Sequence, residues 1–285
     1  MFAAYRSDRS SRGVAALLAV GALLAPRVAA AFDPFEVQVY DGETNDPGAA
    51  SLELHANYHH APKRPASPPE IAQHKQAHFN FEPALGITRF WELGAYFQLA
   101  AAVDGTLYWA GTKLRTKFVT PEGWHPHLTV GINFEFAFIP QAFDSDRYGG
   151  EIRPIIGWED KYFHVAANPN IEFSVAGQGL RTGPGFNPAI SAVGKIPDIV
   201  SLGVEYYASI GPFTQPTPIK SAEHYLFGVA NILAFAGWEL NFGVGAGLTP
   251  GSNDLIVKAI FGHEIGRLWG RPPQPAPQPA PPGHV

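Results

Sequence analysis

The sequence predicts an all-β protein: a closed antiparallel transmembrane β-barrel of about 12 strands with a cleaved N-terminal signal peptide. Three observations predict it. Phe163, Val165, Ala167, Pro169, Ile171, Phe173 and Val175 alternate with His164, Asn168, Asn170, Glu172 and Ser174. A period of two gives a strand with one apolar and one polar face. The pattern recurs down the chain at the length of a bilayer-crossing strand, and an export signal heads the chain.

The signal is read from Arg6, Arg9 and Arg12, the apolar run from Val14 to Leu24, and the small residues Ala29, Ala30 and Ala31, with cleavage expected after Ala31. The apolar run falls short of the ~18 residues a spanning helix requires. Residues 1–31 are therefore assigned as signal peptide. Without them the net charge of −5 becomes −8. No basic stripe remains for nucleic acid, so no nucleic-acid partner is expected. Cysteine is absent, which removes disulfides and thiolate chemistry from an exported chain.

Residues 32–48 contain EVQVYD at 36–41 followed by turn residues. They are assigned as a periplasmic N-terminal segment, in the form of a strand, a plug or a lead-in. Residues 49–268 are assigned as the barrel. Twelve strands are expected at 50–59, 78–87, 92–103, 107–119, 127–139, 149–158, 162–175, 185–195, 201–212, 224–234, 238–248 and 255–263. In the fifth, Leu128, Val130, Ile132, Phe134, Phe136 and Phe138 oppose Thr129, Gly131, Asn133, Glu135 and Ala137. Connections alternate between tight turns and longer polar loops, which places both termini in the periplasm.

Trp91, Trp124, Trp158 and Trp238, together with Trp269, fall at the strand ends assigned to the periplasmic rim. An indole is apolar across its body and polar at its N–H, so these residues are expected to form an aromatic girdle. Pro83, Pro154, Pro169 and Pro188 fall inside strands, and each should mark a bulge or a lost ladder bond. Residues 269–285 are mostly Pro, Ala and Gln and read as an extended periplasmic tail.

The segments EVQVYD (36–41), LELHANY (52–58), WELGAYFQL (91–99), AGTKLRTKFV (110–119), EIRPIIGW (151–158), GVEYYASIGP (203–212) and ELNFGVGAGLT (239–249) resemble an outer-membrane barrel family of Gram-negative bacteria. That family is similar to the transporter-like proteins assigned to the MetA pathway of phenol degradation. The resemblance implies an outer-membrane address and passage of small molecules. Its partners would be outer-membrane lipid and lipopolysaccharide, the barrel-assembly machinery and a small solute. One departure stands out: such barrels usually finish near a terminal aromatic residue, whereas here Phe261 and Trp269 precede the proline tail.

Strand parity turns Lys113, Arg115, Lys117, Glu135, Glu151, Arg153 and Glu172 inward, with Glu205, Glu239, Lys195 and Lys258. A Lys or Arg facing lipid at the midplane would cost about 2–4 kcal/mol. The first seven are the candidate lumen residues, either a charged constriction that selects solutes or a salt-bridged packing that braces a filled barrel. His55 and His59 share a face at about 13 Å, too far apart for one ion. A helix over 70–78 would align His74 with His78, but exposed loop histidines are the preferred reading. No metal, cofactor or catalytic residue is expected: G-x-S-x-G and H-E-x-x-H are absent. The expected function is a small-molecule channel or transport-related barrel. The alternatives are a barrel enzyme acting on lipid or lipopolysaccharide, and a plugged structural or adhesive barrel.

Overall fold

A computed structural model of the chain describes residues 33–60, 69, 71, 74–121, 123–144, 146–177, 179–235 and 237–270. The expected signal peptide (1–31) and all but the start of the proline tail lie outside the described residues. No helix among the described residues is long and apolar enough to cross a membrane, so crossing falls to strands.

The strands are β1 (Ala49–His60), β2 (Gln76–Thr88), β3 (Trp91–Ala101), β4 (Leu107–Val119), β5 (Leu128–Phe138), β6 (Tyr148–Glu159), β7 (Phe163–Ala176), β8 (Gly185–Ile196), β9 (Val200–Ser209), β10 (Gly211–Pro212), β11 (Glu223–Ile232), β12 (Trp238–Gly247) and β13 (Leu255–Arg267). One helical turn, α1 (Gly179–Thr182), lies between β7 and β8. Two-residue β10 continues β9 beyond Ile210 and pairs with the start of β8. Twelve long strands therefore form the wall. Every pairing is antiparallel, and β1 closes the ring by pairing with both β2 and β13. Closure matters because lipid cannot satisfy the N–H and C=O groups of a free sheet edge.

Parity along the strands matches the sequence pattern. In β1, Ser51, His55, Asn57 and His59 are buried, while Leu52 and Tyr58 are exposed. In β5, Asn133 and Glu135 are buried between exposed Val130, Phe134 and Phe136. Leu114, Ile156, Ile190, Val204 and Val244 extend the same exposed apolar surface round the wall. A soluble domain rarely leaves so continuous an apolar surface uncovered. A lipid-facing band requires it.

Connections 89–90, 160–162, 197–199 and 233–237 at one end are shorter than 61–75, 139–147, 177–184 and 213–222 at the other. Two depart from the rule: 120–127 is long for its end, and 102–106 is short. In the turns, the Asp104 carboxylate accepts from the Thr106 N–H, and Asp160 accepts from the Tyr162 and Phe163 N–H groups. These backbone bonds hold both carboxyls below the usual range. The helix considered over 70–78 does not form, because residues 76–78 already belong to β2.

Trp124, Trp158 and Trp238 are exposed at the short-connection end, where Trp91 stacks on Phe118 and donates to Thr116 Oγ1. Trp109 lies at the opposite end, tilted against Phe138. All four strand prolines sit at outward positions, and they fall where the ladder is interrupted. The β2–β3 register skips Pro83, and the β6–β7 register breaks between Ile152↔Ile171 and Ile156↔Ala167, around Pro154 and Pro169. The Asn168 side chain donates to the Pro154 carbonyl at 3.3 Å, supplying the bond Pro169 cannot. At Pro188, β9 has bulged away: pairing with β8 stops at Ala189↔Tyr207 and resumes at Phe186↔Gly211.

Residues 33–48 depart from the expected periplasmic location. They run through the interior of the barrel, from Asp33 at the long-connection end to Asp46 at the short-connection end, before Gly48 turns the chain into β1. Of the three forms considered, the segment takes that of a plug. The cause is complementarity. Phe35, Val37 and Val39 alternate with Glu36, Gln38 and Tyr40, and the barrel offers an apolar side and a charged side to receive them.

Candidate functional site

The site is the lumen together with this internal strap. On one side, β4 supplies three inward cations in a row, and β2, β3, β5 and β6 supply carboxylates. Arg115 donates from Nε to Glu82 Oε1 at 2.6 Å and from an Nη to Glu92 Oε1 at 2.8 Å. Lys117 lies 3.1 Å from the same Glu92 oxygen. Lys113 bonds Asp33 of the strap at 2.6 Å and Glu135 at 3.1 Å. Arg153 donates to Glu151 at 2.6 Å and to Glu36 of the strap at 2.8 Å. The β5–β7 register aligns Glu135, Glu151 and Glu172 side by side. Like charges directly opposite repel, and Lys113 and Arg153 between them offset that repulsion.

The structure thus brings these residues into two ion-pair clusters, Arg115 with Lys117 in one and Lys113, Glu135, Glu151 and Arg153 in the other. Glu172 faces inward at the edge of the row, but the described ion pairs leave it out. Glu82 and Glu92 were not singled out from sequence, although parity on their strands points both inward. Asp33 and Glu36 carried no such signal, because nothing local reveals that their segment enters the barrel.

Tyr40 joins strap to wall. The Arg153 guanidinium lies 4.2 Å above its ring, a cation–π contact in a desolvated setting. Its hydroxyl is 2.6 Å from that of Tyr96, which donates to Glu135. Its backbone N–H donates to Asn168 Oδ1 at 2.6 Å, and its carbonyl accepts from Asn168 Nδ2 at 3.0 Å.

The opposite side carries an apolar cluster. Val37 packs among Val193, Tyr207, Tyr225, Phe227, Val229 and Ile256, with no exposed surface of its own. Lys258 crosses this cluster to bond Glu205 at 2.5 Å and the Val37 carbonyl at 3.0 Å. The amide groups of a lone strand inside a barrel need such partners. Pro34 O and Phe35 O accept from Asn57 Nδ2, and Asn45 N donates to Glu92.

A cavity of about 200 Å³ at the short-connection end is lined by Tyr40, Glu43, Glu53, Glu82, Lys117 and Glu239 among others. Beside Glu36, Glu151, Arg153 and Glu172 there is about 30 Å³, little more than a water molecule needs. The strap fits closely at its lower anchor. A Cβ on Gly86 would lie 2.3 Å from the carbonyl oxygens of Asn45 and Asp46. Gly86→Ala is expected to push the strap off the wall there. Hydrogen exchange should then accelerate at the amide of Gly48, which donates to Gly86 O at 2.7 Å, and at that of Asn45.

No protein-family model matches the chain. No curated protein matches it either. Solved outer-membrane barrels share its architecture, two of them as follows. The COG4313 outer membrane channel from Pseudomonas putida F1 aligns over 80% of this chain and 99% of its own, with a TM-score of 0.55 at 10% identity. The KdgM porin aligns over 76% and 99%, with a TM-score of 0.51 at 10% identity. At such identities the likeness is one of fold: the outer-membrane β-barrel.

Proposed function

We propose that the chain is an outer-membrane channel for small solutes, whose bore is narrowed by residues 33–48 and lined on one side by paired charges. The observation that carries this reading is the nature of the strap's attachment on the charged side. Side-chain hydrogen bonds and ion pairs hold it there rather than a backbone ladder with the wall. Its chemistry is electrostatic sorting rather than bond making. The channel and porin of like fold support the reading, as does the resemblance to transporter-like proteins of phenol degradation, which extends it to small organic solutes.

The test is conductance of the refolded full chain in planar bilayers. Lys113→Gln with Lys117→Gln removes two cations without stripping Arg115 from its buried partners. The reversal potential in a salt gradient is expected to move towards cation preference. A reversal potential that stays put would remove these lysines from the filter. The Val37 cluster favours a second reading, a permanently plugged barrel. That reading predicts no conductance in the full chain and conductance only in one lacking the strap.

A further inference from the structure

At the short-connection end, β1 and β2 set Glu53 directly opposite Glu82. Both face inward, and like charges so placed are destabilising. Arg115 occupies only Oε1 of Glu82; Oε2 is buried without a hydrogen-bond partner. Glu53 has no Lys or Arg among its described ion-pair partners. It also meets a further acid, because Gly262 of β13 pairs with Glu53 on one side and Glu239 on the other. A Cβ at Gly262 would lie 3.0 Å from both glutamate side chains. Among the described residues, His55 approaches both opposed carboxylates, and it is fully buried. Its Nε2 lies 3.3 Å from Glu82 Oε2 and 3.6 Å from Glu53 Oε2. Neither approach meets hydrogen-bond geometry, so a buried imidazole nitrogen and a buried carboxylate oxygen converge without a well-formed hydrogen bond.

We propose that Glu53, His55 and Glu82 bind a divalent first-row transition ion of the Zn²⁺ type. Ligand bonds of about 2.0–2.2 Å in a tetrahedral shell separate the donor atoms by roughly 3.4 Å. The two distances to His55 Nε2 already match that spacing, and all three donor atoms lie within 4.8 Å of one another. An imidazole with two carboxylates favours transition ions over Mg²⁺ or Ca²⁺, which take oxygen alone. Glu53 and Glu82 line the 200 Å³ cavity, which supplies an entry path and water for the remaining position. The ion cancels the repulsion between the facing glutamates and ties β1 to β2. This site stands independently of the channel reading.

The test uses purified full-length protein refolded in detergent, stripped with chelator and dialysed against Zn²⁺. Elemental analysis is expected to give one Zn²⁺ per chain, and the unfolding temperature should rise with free Zn²⁺. His55→Gln should weaken binding about 100-fold or more, at least as much as losing a supporting residue of such a site. Glu53→Gln changes a partly exposed side chain and reports on the site should His55→Gln fail to fold. His60→Ala with His74→Ala removes the paired outer histidines, whose rings lie 5.8 Å apart, and should leave the stoichiometry unchanged. Absence of stoichiometric binding, binding retained in both ligand variants, or binding lost with His60 and His74 would each overturn the proposal.

Discussion

Deleting residues 33–47, so that no strap precedes the turn into β1, is expected to raise single-channel conductance several-fold over the full chain. The strap spans the bore from Asp33 to Asp46, and its Val37 occupies the apolar half of the interior with no exposed surface. Barrels of eight strands are filled by side chains and those of 16–18 hold an open channel. A twelve-strand ring has room for one extended segment, and its removal replaces that segment with water. The wall should survive the deletion, because its ladder closes through β1–β13 without help from the strap. It should nevertheless unfold at lower temperature. Asn57, Arg153 and Lys258 would lose their strap partners, and the Val37 pocket would be left as an apolar cavity. Conductance recordings and heat-dependent electrophoretic mobility measure the two effects separately. Unchanged conductance in a chain that still folds would mean that the remaining side chains close the bore by themselves.

The second large effect is expected at Arg115. Arg115→Met removes the cation shared by Glu82 and Glu92, all three with side chains about 2% exposed. Breaking a buried pair leaves charge uncompensated and costs about 3–5 kcal/mol. Lys117, 3.1 Å from Glu92, offsets part of this on one side; Glu82 has no such substitute apart from His55. Unfolding in urea, in the presence of chelator, measures the loss. Arg115→Met with Glu82→Gln and Glu92→Gln should recover much of it, because the triple change leaves no buried charge behind. A single variant as stable as the parent would show that water reaches these carboxylates. The loss would also loosen the strap, since Glu92 holds the Asn45 backbone and side chain.

The wall was legible from sequence because bilayer and lumen each impose a rule on single residues. Phe134 and Phe136 had to face lipid, and Asn133 and Glu135 had to face away from it; their spacing needs no knowledge of neighbouring strands. The same parity placed Lys258 and Glu205 inside, where they meet. The four prolines announced interruptions, although only the register shows Asn168 repairing one of them. Pairing was less legible. Nothing in the local pattern says that Glu53 faces Glu82, or that Glu135, Glu151 and Glu172 form one row, because stagger between strands is a property of the closed ring.

Residues 33–48 mark the boundary most clearly. Their alternation resembles that of a wall strand, and taken alone it points to the periplasm rather than the bore. By itself the sequence determined that this chain forms a closed sheet with an apolar exterior and a charged interior, since alternation, turns and tryptophan positions are local consequences of the two solvents. Only the tertiary structure decided what fills the interior and which charges meet there. That outcome depends on matching Val37, Glu36 and Tyr40 to a cavity assembled from strands up to 221 residues away. No single segment of the chain encodes that complementarity.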